Sequence, residues 1–179
     1  MRPIMFAEMG RLVLVTGGAR SGKSACAEGI VAGSAGPVTY LATAEALDEE
    51  MAERIRRHQR RRAADWRTVE APRDADRQLA ELVARPGTVL FDCLTLFLSN
   101  LIESGGDESL LGRVGAMARA AAAGAASVVI VTNEVGLGIV PENPLARRFR
   151  DLMGLANQLV AREAHEVYFT VCGLAQRIK

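Results

Sequence analysis

The chain has 179 residues, enough for one domain whose core needs no metal or disulfide staples. A formal net charge of +1 argues against a nucleic-acid binder held by overall charge. The three cysteines, Cys26, Cys93 and Cys172, lie too far apart for a C-x-x-C metal or redox motif and read as small core residues. No apolar run reaches the roughly 18 residues of a membrane span, and residues 1–10 hold no signal-peptide core. The expectation is a soluble cytoplasmic protein with a short extension, 1–10, and one domain, 11–179.

Residues 12–16, Leu-Val-Leu-Val-Thr, are an apolar β-prone run and predict a buried strand. Gly17-Gly18-Ala19-Arg20-Ser21-Gly22-Lys23-Ser24 follows and fits G-x-x-x-x-G-K-[ST], the phosphate-cradling P-loop. Residues 24–31 read as a helix. Strand, glycine loop and helix together predict a triphosphate site: backbone N–H groups and the positive helix end face the anion. Lys23 would reach the β- and γ-phosphates, and the Ser24 hydroxyl would serve Mg²⁺.

A second strand is predicted at 38–42, after the Gly-Pro break at 36–37. Thr43 and Ala44 leave its C-terminal end, where open α/β sheets place ligands. A polar helix over 46–63 carries Leu47, Met51, Ile55 and then His58 on one stripe. Residues 66–70 form a short β-like stretch, 74–84 a helix, and 88–92 an apolar strand ending in Asp92. A carboxylate at that tip suits Mg²⁺ beside a P-loop; the plain alternative is a helix N-cap. Helices over 94–102 and 108–123, a core strand at 127–132 and a glycine-punctuated loop at 133–141 come next. A helix over 143–163, a strand at 166–171 and a possible edge strand at 176–179 complete an α/β fold. It is a P-loop NTPase-like domain with a mainly parallel sheet flanked by helices and a short antiparallel C-terminal edge.

His58 is one of two histidines, and Arg54, Arg56, Arg57, Arg60, Arg61 and Arg62 surround it in sequence. It is either a core histidine on a solvated basic helix, whose arginines pair with Glu49, Glu50 and Glu53, or a nucleophile. In the second reading the cations favour an uncharged imidazole and hold phosphate oxygens. Such an imidazole could attack the α-phosphorus of a bound triphosphate and expel pyrophosphate. His165, beside Glu166 at the start of the last strand, reads as structural.

Several stretches together resemble one family. They are residues 14–24, Tyr40-Leu41-Ala42-Thr43-Ala44, Asp48-Glu49-Glu50-Met51, Arg54-Ile55, His58 and Trp66-Arg67-Thr68-Val69-Glu70. Asp92-Cys93-Leu94-Thr95 and the run 131–143, with its Asn-Glu-Val-Gly loop, complete the match. The family is the bifunctional adenosylcobinamide kinase/adenosylcobinamide-phosphate guanylyltransferase of cobalamin biosynthesis, and the likeness covers the chain beyond about Arg11. It implies phosphorylation of adenosylcobinamide by GTP or ATP, then transfer of GMP from GTP through a guanylylated histidine to the new phosphate. The histidine falls on His58. Nucleotide contacts fall on residues 17–24, Ala42, Thr43, Gln59, Arg60, Arg61, Arg62, Glu70 and Asp92. A homotrimer is implied as well. Asp92 stands where some members carry Glu, and Arg57-His58 stands where some carry two histidines. The competing readings are a kinase without transferase activity and a nucleotide-gated nucleic-acid module. The second lacks the interleaved aromatics that such a surface uses.

Overall fold

The computed structural model describes residues 10–34, 36–61, 63 and 65–179; residues 1–9 of the expected extension, and Arg62, lie outside the described residues. In chain order the elements are β1 (Leu12–Gly17), α1 (Lys23–Ala32), β2 (Val38–Ala42), α2 (Glu49–Arg61) and β3 (Arg67–Glu70). Then come α3 (Ala75–Leu82), β4 (Thr88–Asp92), α4 (Leu94–Ser99), α5 (Asp107–Ala123) and β5 (Ser127–Val131). The last are α6 (Pro144–Glu163), β6 (Glu166–Val171) and β7 (Leu174–Arg177). They build one seven-stranded sheet in the order β3-β2-β4-β5-β1-β6-β7. Every pairing is parallel except the antiparallel β6–β7 pair. The expected edge strand therefore exists, two residues earlier than its predicted start.

The unbroken apolar runs are explained by burial on both faces. Side chains alternate across a strand, so Leu12 and Leu14 enter one core cluster while Val13 and Val15 enter the other. Val128 and Ile130 separate from Val129 and Val131 in the same way. The first face is covered by α3, α4, α5 and α6, whose Leu79, Phe97, Val114, Met117, Leu152 and Ala156 fill it. The second is covered by α1, through Ala27, Ile30 and Val31. Phe97 packs edge-on against Phe91 with centroids 6.1 Å apart. Truncating such a fully buried ring to Ala costs about 3–5 kcal/mol.

Two expectations fail locally. The polar helix begins at Glu49, so Leu47 precedes it and is 80% exposed. Asp48 starts the helix instead, its Oδ1 accepting from the Met51 N–H at 2.7 Å. Among the described residues no side chain of α2 joins either core cluster, although Met51, Ile55 and His58 are half-buried. The cysteines also divide: Cys93 is buried and Cys26 half-buried, but Cys172 is exposed in the β6–β7 turn.

His165 has the structural place expected of it. Its Nδ1 accepts the Leu12 N–H at 3.0 Å, and its own N–H donates to Leu12 O at 2.8 Å, fixing where β6 meets β1. The neighbouring Glu166 is buried between Arg11 and Arg177 and accepts from the Tyr168 hydroxyl at 2.6 Å. No helix among the described residues is long and apolar enough to cross a membrane.

Candidate active site

The sheet register gathers the C-terminal strand tips along one edge. Glu70 on β3 stands opposite Ala42 on β2, Ala42 opposite Asp92 on β4, and Asp92 opposite Val131 on β5. Gly17, where β1 ends, stands opposite Thr170 on β6. The P-loop, Ala42, Glu70 and Asp92 thus share one edge of the sheet, the edge at which open α/β sheets place their ligands.

The loop between β1 and α1 needs its glycines for stated reasons. Gly22 has φ of 100°, the left-handed region, and a Cβ there would lie 3.0 Å from the Gly173 Cα. A Cβ on Gly17 would lie 2.3 Å from the Thr170 carbonyl oxygen. Helix α1 then begins at Lys23 without an acidic residue in its first turn, leaving the positive end free for an anion. The Lys23 side chain is buried, and its Nζ donates to Gly18 O at 2.6 Å, across the loop. Ser24 is half-buried in the first turn of α1.

Across the crevice α2 brings His58 to the tip of β4. The His58 Nδ1 lies 4.0 Å from Asp92 Oδ2, with the two side chains 24% and 15% exposed. Tyr40, on β2, donates its hydroxyl to the same Oδ2 at 2.5 Å. A buried phenol therefore pins the carboxylate that faces the imidazole. Tyr40 carried no sequence signal beyond membership of a strand, because its partner is 52 residues away. Next to Asp92 the Cys93 thiol is pushed up to about 12, first by burial and then by the Asp92 charge, so it stays a protonated spectator near neutral pH.

Two arginines of α2, Arg56 and Arg60, are engaged with glutamates of their own helix. Arg56 Nε reaches Glu53 at 2.9 Å and its Nη2 reaches Glu49 at 3.3 Å, while Arg60 Nη2 reaches Glu53 at 2.9 Å. Hydrogen bonds from Arg56 and Arg60 hold the Glu53 carboxyl below its ordinary range. The charge set against His58 is that of Asp92. Gln59 and Arg60 are exposed, Arg61 closes the helix, and Glu70 is exposed at its strand tip. Thr43 is fully buried: its hydroxyl donates to Cys93 O and accepts from Cys93 N–H, both at 2.8 Å. Its side chain ties β2 to the end of β4, and Asn100 Nδ2 donates to its carbonyl at 2.8 Å.

The glycine-punctuated loop after β5 is anchored to the same edge. Glu134 N–H donates to Gly17 O at 3.0 Å, and Asn133 N–H donates to Thr95 Oγ1 at 2.8 Å. Asn157 on α6 accepts from Thr132 Oγ1 at 2.7 Å and donates to Asn133 O at 3.1 Å. Beyond this anchor Leu137, Ile139 and Val140 are exposed, Ile139 almost completely at 97%.

A glycine loop opening a helix at the edge of a parallel sheet, with lysine and serine at the helix start and an aspartate at a strand tip on the same edge, defines a P-loop nucleotide-binding protein. The fold agrees with solved structures: FlaH, a flagellar accessory protein of Methanocaldococcus jannaschii, superposes with a TM-score of 0.51 at 15% identity, over 96% of this chain and 79% of its own. PH0250 of Pyrococcus horikoshii gives 0.56 at 12% identity, over 96% and 87%. The family model described as cobinamide kinase / cobinamide phosphate guanyltransferase matches residues 13–178, and the chain belongs to that family. The bifunctional adenosylcobalamin biosynthesis protein CobU of Salmonella typhimurium is 42% identical, over 94% of this chain and 99% of its own length. The corresponding protein CobP of Pseudomonas aeruginosa is 41% identical, over 93% and 96%. The chain is accordingly a bifunctional enzyme of cobalamin biosynthesis, a kinase and a guanylyltransferase.

Proposed function

We propose that this one crevice carries both reactions, with the P-loop holding GTP and His58 carrying GMP. In the kinase step Lys23 and the loop N–H groups bind the β- and γ-phosphates, and the γ-phosphoryl group passes to the hydroxyl of adenosylcobinamide. Either GTP or ATP is the proposed donor in this step. The Ser24 hydroxyl, in the first turn of α1, and the Asp92 carboxylate, at the tip of β4, are oxygen donors of the kind Mg²⁺ takes; they would hold the ion, which would neutralise charge on the phosphates.

In the transferase step the His58 Nε2 lone pair forms a bond to the α-phosphorus. The bond from that phosphorus to the oxygen bridging to the β-phosphate breaks, and pyrophosphate leaves with the electron pair. A phosphate oxygen of adenosylcobinamide phosphate then displaces the imidazole to give adenosylcobinamide-GDP. The observation that carries this reading is the 4.0 Å approach of His58 Nδ1 to the pinned Asp92. A carboxylate on the Nδ1 side favours the N–H tautomer there and leaves the Nε2 lone pair for phosphorus. Gln59, Arg60, Arg61, Arg62, Ala42, Thr43 and Glu70 complete the nucleotide surroundings, Thr43 through the strand end that it fastens. The test is incubation with GTP labelled at the α-phosphate. Acid-labile, alkali-stable label is expected on the wild type and absent from His58→Ala; a wild type that never labels under turnover overturns the reading.

The enzyme is proposed to work in the cytoplasm as a homotrimer. Support comes from the family resemblance and from the apolar Leu137, Ile139 and Val140, exposed on a loop fastened to the P-loop strand. Sedimentation equilibrium should return three times the 19.2 kDa chain mass.

A further inference from the structure

We propose that Thr170, near the end of β6, is a positioning residue of the triphosphate site, acting through Ser21. Thr170 is buried and stands opposite Gly17 in the β1–β6 ladder. Its Oγ1 lies 2.7 Å from Ser21 Oγ and 3.2 Å from Thr16 O, the carbonyl that precedes the loop. A threonine hydroxyl has one hydrogen. The carbonyl can only accept, so Thr170 donates to Thr16 O and Ser21 Oγ donates to Thr170. The order Ser21 Oγ–H to Thr170 Oγ1–H to Thr16 O is therefore fixed. It uses the only side-chain proton of Ser21, whose backbone N–H donates to Gly18 O at 3.3 Å, so the residue closes the loop on itself and on β6.

The β6–β7 turn holds the far end of the loop. Gly173 N–H donates to Ser21 O at 3.0 Å, and the Gly173 Cα occupies the space where a Gly22 side chain would begin, 3.0 Å away. The loop is thus gripped at Thr16, Ser21 and Gly22 by one hairpin from the other end of the chain. Without that grip the loop must be ordered by the nucleotide, at the expense of affinity.

The experiment compares Thr170→Val, which keeps the shape and removes the hydroxyl, with Thr170→Ser, which keeps the hydroxyl. GTP dissociation constants come from titration calorimetry, and KM and kcat from both half-reactions. Thr170→Val should raise Kd and KM for GTP about tenfold in both reactions while kcat moves less than about threefold. Thr170→Ser should stay within about twofold of wild type. Ser21→Ala should match Thr170→Val, and the double variant should add nothing further. If Thr170→Val does not fold by circular dichroism, Ser21→Ala alone decides: a raised Kd supports the proposal and an unchanged Kd overturns it. Additive effects in the double variant, or a Thr170→Val protein that binds GTP as wild type does, also overturn it. The proposal rests on residues 17–24 holding the triphosphate; a wild type that binds no GTP overturns that reading too, whereas an unaffected variant overturns the proposal alone.

Discussion

The two walls of the crevice are built on opposite plans. The P-loop grows out of β1, whose side chains fill both core clusters, and its Gly17 and Gly22 sit against the backbone of β6 and the turn after it. Helix α2 is polar and, among the described residues, places no side chain in either cluster; its Arg56 and Arg60 pair with Glu49 and Glu53 along its own surface. Yet His58, the nucleophile proposed for the α-phosphate step, is on α2. It faces a carboxylate from the rigid side, Asp92, itself pinned by Tyr40. On that proposal the nucleophile is carried by one wall and aimed by the other.

Substitutions should separate the walls, and the largest effect belongs to His58. His58→Asn is expected to reduce covalent GMP and guanylyl transfer by about 10⁴-fold or more. Cobinamide phosphorylation should stay within about threefold of wild type. Parallel assays of the two half-reactions check this, and equal losses in both would break the division of labour. Lys23→Met should lower both reactions, by about 10²–10³-fold, because on the proposed reading each uses a triphosphate bound in the same loop. A kinase-only defect would place the two triphosphates in different sites. Tyr40→Phe unpins Asp92 and should slow formation of the labelled enzyme by about 10-fold, the usual scale for removing an outer partner of an oriented imidazole. Single-turnover labelling reads that step directly.

The smallest effects concern acid stability and contrast the same chemistry on the two plans. Asp76, on α3, accepts from Arg113 of α5 at 2.6 and 2.8 Å, and that guanidinium also covers the Phe97 ring at 5.1 Å. Burial pushes the Asp76 carboxyl up, but the Arg113 hydrogen bonds and charge outweigh it and leave it below its ordinary 3.8. A carboxyl lowered on folding stabilises fully above its unfolded pKa and loses that contribution as pH falls through the lower folded value. Asp76→Asn should therefore cost about 2 kcal/mol at pH 7, and the gap from wild type should close below about pH 4. Glu53 is lowered too, by Arg56 and then Arg60, but on an exposed helix. Thermal melting of Glu53→Gln should follow the wild type across the same range, because exposed pairs are screened. A Glu53→Gln loss as large as that of Asp76→Asn would mean that α2 is fastened to the body after all.

What the sequence made legible follows from the range over which each signal acts. Strands such as Leu12–Gly17 and Thr88–Asp92 were readable because burial on both faces demands an uninterrupted apolar run. The P-loop was readable because its requirements are local, one glycine turn and one lysine on a helix start. Helix α2 was placed but its start was not, since Leu47 looked like a stripe residue and Asp48 proved to be the residue that opens the helix. The partnerships of Tyr40 with Asp92 and of Thr170 with Ser21 were invisible: each joins residues that only the sheet order brings together. Cys172 misled for the converse reason, because apolar neighbours in sequence become a solvent-facing turn when the hairpin reverses.

The hydroxyl contact between Ser21 and Thr170 spans 149 positions of the chain. During synthesis the glycine loop leaves the ribosome well before the strand that grips it. A nascent chain therefore carries the recognisable motif long before it carries a finished nucleotide site. A contact of such sequence separation also carries a larger loop-closure cost than a local one. The glycine loop is therefore gripped only in a chain that has paired β6 with β1.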